Sequence, residues 1–81
     1  MEISLRELKV GQEGMVTKIV AGGGHGMGHG AAKRLKDMGV RIGKNVRMVA
    51  SQPIGGPIVI EIDGRRTAIG RGRAAKIYVE V

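Results

Sequence analysis

The stretch Ile58-Val59-Ile60-Glu61-Ile62-Asp63-Gly64-Arg65-Arg66-Thr67-Ala68-Ile69 decides the fold. Runs rich in β-branched residues flank Asp63-Gly64, a dipeptide that tolerates the positive φ angles of a type I′ turn, so the segment reads as a β-hairpin. Counting outward from the turn sets Ile62 opposite Arg65, Glu61 opposite Arg66, Ile60 opposite Thr67 and Ile58 opposite Ile69. That register puts a charge pair on one face and aliphatic side chains on the other.

The rest of the chain is read from this hairpin in both directions. Downstream, Gly70 to Ala75 has room for one helical turn before Ile77, Val79 and Val81 alternate with Tyr78 and Glu80 as a last strand. Upstream, Gln52-Pro53-Ile54-Gly55-Gly56-Pro57 is a turn cluster, preceded by a strand over Asn45 to Ala50. In that strand Val46, Met48 and Ala50 are expected on one face and Arg47 on the other. Ala31, Leu35 and Met38 recur at helical spacing with Lys33, Arg34, Lys36 and Asp37 between them. Gly39 stands where a left-handed C-terminal cap is wanted. Gly11 and Gly14 precede the first strand, Met15 to Val20, which lacks clean alternation and suits a strand bent or bulged near a glycine. Ahead of it, Ser4-Leu5-Arg6-Glu7 has the form of a capping box for a short turn.

Composition sets the limits. The sequence has 81 residues, enough for one modest core, and Tyr78 is the sole aromatic, so that core is aliphatic. Cysteine is absent, which excludes disulfides and thiolate metal sites. The charged N-terminus does not resemble a signal peptide, and no apolar run approaches the ~18 residues of a membrane span. A formal charge of +7 favours acidic partners without choosing among nucleic acid, lipid and protein. Five short strands with a two-turn helix after the first leave a small, mainly β antiparallel barrel as the economical arrangement. An open sheet crossed by the helix is the alternative.

The order of these features resembles the FeoA family and the related SH3-like domain at the C-terminus of iron-dependent repressors. The resemblance runs through Leu5 and Leu8, Gly11, Gly14 and Val16, then Arg34-Leu35 and Met38-Gly39-Val40 with Gly43. It continues through Pro53, Gly55-Gly56-Pro57-Ile58, Ala68-Ile69-Gly70-Arg71, Ala74, Ile77 and Val79. It implies a single SH3-like domain over residues 1–81 and a cytoplasmic adaptor of bacterial ferrous-iron uptake. Its implied partner is the FeoB transporter, through the cytoplasmic G-protein domain or permease loops, which would hold the chain peripherally at the inner membrane without insertion. No enzymatic activity and no required cofactor are implied.

Two segments carry candidate sites. The loop Gly22 to Gly30 has six glycines in nine positions and brings His25, Met27 and His29 close in sequence. Imidazole and thioether ligands suit Fe2+ or another transition metal. Ordering each loop residue costs roughly 1–2 kcal/mol, so weak binding is expected. The loop contains neither glycine pattern of the nucleotide-binding motifs. A partner surface is expected where the basic face of Lys33, Arg34 and Lys36 meets an apolar rim of Ile54 and Ile58, which would suit an acidic partner with an apolar centre. Ordinary barrel closure by the two isoleucines is the competing reading. Ser4 and Ser51 sit in a cap and a turn, and Glu61 and Asp63 are accounted for by pairing with Arg66 and by turn formation, so no catalytic constellation is expected.

Two alternative functions follow from the same residues. Nonspecific nucleic-acid binding would be phosphate-driven and salt-dependent, since Tyr78 alone offers no stacking platform. A metal chaperone using the His/Met loop would lose function with its histidines.

Overall fold

The structure is a computed structural model, and it describes residues 1–20, 39–52 and 55–81. Six strands form one antiparallel sheet: β1 (Glu2–Ser4), β2 (Glu13–Ile19), β3 (Asn45–Ser51), β4 (Ile58–Ile62), β5 (Arg65–Ile69) and β6 (Ile77–Glu80), in the order β1-β6-β2-β3-β4-β5. A 3-10 turn, Leu5–Glu7, follows β1, and a helical turn, Arg71–Ala74, lies between β5 and β6.

The hairpin that organises the sheet forms in the expected register, from Ile62 opposite Arg65 to Ile58 opposite Ile69. Asp63 and Gly64 take φ of 53° and 78°, the left-handed pair that a type I′ turn needs. Gly39 also has positive φ, at 87°, as a left-handed cap would; the expected helix before it lies outside the described residues.

Three local expectations are corrected. Ser4 makes no capping hydrogen bond, because it ends β1 opposite Tyr78 and the turn after it is only three residues long. The sheet therefore has a sixth strand, with Ile3 opposite Val79. Ala50 does not share the buried face of Val46 and Met48. A register shift between Met48 and Ala50 makes Val49 the extra residue, and a bulge of this kind turns the following side chain to the other face. Glu61 stands opposite Arg66 as expected, yet its carboxylate accepts a hydrogen bond from Arg47 on the strand at its other side.

A second bulge, between Val16 and Lys18, gives β2 the irregularity its sequence suggests. Bulges bend strands and increase twist, which curls the sheet around its aliphatic side chains. Val16, Val46, Met48, Ile60, Ile77 and Val79 are each no more than 1% exposed, and Leu5 from the 3-10 turn and Ala74 from the helical turn close the core. Gly14 lets β6 approach: a Cβ there would lie 3.0 Å from both Cβ and Cγ2 of Val79. Among the described residues no helix is long and apolar enough to cross a membrane.

Candidate functional site

The outward face of the sheet carries a row of alternating charge. Glu13 on β2 faces Arg47 on β3, Arg47 faces Glu61 on β4, and Glu61 faces Arg66 on β5. Arg47 Nη2 donates to Glu61 Oε1 at 2.6 Å, and beside this pair Lys44 Nζ donates to Asp63 Oδ2 at 3.0 Å. Glu13, Lys44, Arg47, Glu61 and Asp63 line an open polar groove of about 400 Å3. Within it the Arg47–Glu61 pair ties β3 to β4, and the Lys44–Asp63 pair ties the residue before β3 to the turn between β4 and β5. At the far edge the Met1 ammonium pairs with Glu80, and Thr17 Oγ1 donates to Glu2 Oε2 at 2.7 Å.

The other notable region is the rim where β4 begins. Arg71 Nε donates to the Gly56 carbonyl at 3.0 Å, tying the helical turn to the Gly55-Gly56-Pro57 segment. Gly55 has φ of 66°, and a Cβ on Gly56 would lie 2.8 Å from the Gln52 side chain, so both glycines are required by the path of the chain. Arg71 is the residue that sequence reasoning underused. The Gly70-Arg71-Gly72-Arg73 run marks a tight turn with guanidinium groups on it, but the bond to Gly56 depends on strand pairing that brings the two segments together.

The expected site residues fare differently. His25, Met27 and His29, and with them Lys33, Arg34, Lys36 and Ile54, lie outside the described residues. Ile58 is 1% exposed and belongs to the core, so barrel closure accounts for its side chain and it does not form an apolar rim. Among the described residues no three His, Cys, Asp or Glu side chains gather as a group able to hold a metal ion.

Comparison with known proteins places this architecture. The family model described as the FeoA domain matches residues 3–81. The chain belongs to the FeoA family. A relative from Methanocaldococcus jannaschii that carries the name Fe(2+) transport protein A is 43% identical over 72 residues, which span 89% of this chain and 78% of the relative. A crystal structure of an iron uptake regulatory protein, also a FeoA, is 36% identical, covers 99% of this chain and 97% of its own, and superposes with a TM-score of 0.83. The FeoA of Stenotrophomonas maltophilia, solved with zinc and described as a procaryotic SH3 domain protein, is 26% identical with a TM-score of 0.80, over 96% of this chain and 89% of its own. A manganese-dependent transcriptional repressor shares the fold at a TM-score of 0.85 and 20% identity, with 41% of its length covered. The curled six-stranded sheet is thus the SH3-like fold of FeoA proteins, and the family is one of ferrous-iron transport.

Proposed function

We propose that this FeoA-family chain is a non-catalytic cytoplasmic adaptor of ferrous-iron uptake that acts by binding the FeoB transporter at its cytoplasmic G-protein domain or permease loops. The observation that carries the reading is the family match over residues 3–81, together with the 36% identical FeoA described as an iron uptake regulatory protein. The surface chemistry agrees with it. A small sheet whose central charges pair with one another and whose other cations face outward is suited to docking and not to turnover. Association with the inner membrane then comes through the partner.

Metal binding by His25, Met27 and His29 is a secondary property on this reading. The S. maltophilia FeoA, solved as a zinc complex, supports it. Bare imidazole and thioether donors give weak, replaceable coordination to a transition metal, and the adaptor role does not depend on it.

The test is co-purification of FeoB with the tagged chain, alongside ferrous-iron uptake, for the wild type and for the His25→Ala/His29→Ala variant. The adaptor reading expects both FeoB capture and uptake to survive in the variant. Loss of uptake with FeoB capture intact would instead make the chain a metal chaperone.

A further inference from the structure

Charge is distributed unevenly along the chain. Residues 64–79 contain Arg65, Arg66, Arg71, Arg73 and Lys76 and no carboxylate. The carboxylates that form ion pairs among the described residues are Glu80, Asp63 and Glu61, and they take Met1, Lys44 and Arg47. None reaches the helical turn. That turn packs against the 3-10 turn, which brings Arg6, and with it Glu7, to the same end of the molecule.

Geometry makes this end more than a solvated positive surface. Ala74 is fully buried, and Ala74 N, Ala75 N and Lys76 N donate to the carbonyls of Gly70, Arg71 and Arg73, so the turn is anchored. Arg71 is half-buried and its Nε is held by the Gly56 carbonyl. Holding Nε fixes the plane of the guanidinium and leaves its Nη groups available for a bidentate acceptor. A pre-oriented arginine loses less freedom on binding than a lysine or an unrestrained arginine. Gly70 and Gly72 have open space where a side chain would be, so an extended ligand can come close to the backbone between the arginines.

We propose that Arg6, Arg71 and Arg73, arranged around Gly70 and Gly72, are the docking surface for a carboxylate-rich segment of a protein partner. Other polyanions fit less well. Single-stranded nucleic acid is usually held by aromatic stacking as well as by phosphate contacts, and the sole aromatic, Tyr78, lies on β6 with Lys18 Nζ 5.3 Å from its ring centroid. An anionic bilayer would be gripped by exposed apolar side chains among the cations, whereas Ala74 in this turn is buried. The inference rests on the adaptor reading only for the name of the natural partner.

The experiment is an NMR titration of the isotope-labelled full chain with an oligoglutamate peptide and, separately, with the FeoB cytoplasmic domain, oligothymidylate and phosphatidylglycerol vesicles. Oligoglutamate is expected to move the amides of Arg6, Gly70, Gly72 and Arg73. Arg6→Glu/Arg73→Glu should weaken it at least tenfold, against less than twofold for Arg65→Glu/Arg66→Glu at the other end of β5. Arg71→Lys keeps the charge and loses the fork, and should weaken binding several-fold while the spectrum of the free protein stays folded. Equal losses from both charge reversals, or tighter binding of oligothymidylate or vesicles at these amides, would overturn the proposal. If oligoglutamate binds as expected and the FeoB domain binds nowhere, the surface stands and the identity of the partner falls. If the FeoB domain binds without moving these amides, the adaptor reading stands and the surface falls.

Discussion

Arg47 and Glu61 stand directly opposite each other on β3 and β4, joined by an Nη2 to Oε1 hydrogen bond of 2.6 Å. The pair lies at the centre of the row from Glu13 to Arg66, with its side chains 47% and 27% exposed, so solvent screens much of its attraction. A double-mutant cycle with Arg47→Gln and Glu61→Gln is expected to give a coupling of no more than about 1 kcal/mol. Urea unfolding measures it, and the coupling should shrink in ~1 M salt, where the Debye length falls to about 3 Å.

Gly14 is required by the closeness of β6. Gly14→Ala brings a methyl group within 3.0 Å of Val79 and 3.1 Å of Val81, and the strands must separate to admit it. Overpacking of this kind costs about 1–3 kcal/mol. Combined with Val79→Ala, which removes one of the clashing atoms, the loss should be smaller than the sum of the two single losses. Thermal or urea unfolding of the three variants checks this.

The Asp63-Gly64 turn was fully legible in the sequence, and so was the register that it sets. Local chemistry determined both: only a few residue pairs accept two successive positive φ angles, and the alternation of Ile58, Ile60 and Ile62 leaves one face to bury. β1 was not legible, because three residues carry no periodicity and Ile3 becomes a strand residue only when β6 lies beside it. The same holds for Ala50. A bulge at Val49 is decided by how β3 must bend over the core, which its own sequence does not state. At the candidate site, the basic character of residues 64–79 was open to reading, whereas the bond from Arg71 to Gly56 needed the tertiary path of β4.

Turn chemistry is testable by itself. Gly64 has φ of 78°, where a Cβ costs roughly 1–2 kcal/mol, so Gly64→Ala should lower stability by that amount. Asp63→Asn keeps a residue that tolerates the left-handed region and removes the charge paired with Lys44. Its loss should stay below about 1 kcal/mol, as for an exposed ion pair. Urea unfolding of the two variants should rank them in that order.

Ile58 separates core from docking surface. With its side chain buried, Ile58→Val should cost about 0.5–1.5 kcal/mol of stability through the lost methylene and its cavity. Affinity for the FeoB cytoplasmic domain should be unchanged, measured by calorimetry at a temperature where the variant is fully folded.

Isothermal titration of the wild-type chain into purified FeoB cytoplasmic domain without added metal measures whether the chain serves iron uptake by binding a partner. The adaptor account predicts a saturable complex whose affinity falls as salt is raised, because outward-facing cations contribute to it. No binding heat and no co-migrating complex without metal, with binding restored only by Fe2+ and abolished by His25→Ala/His29→Ala, would contradict it.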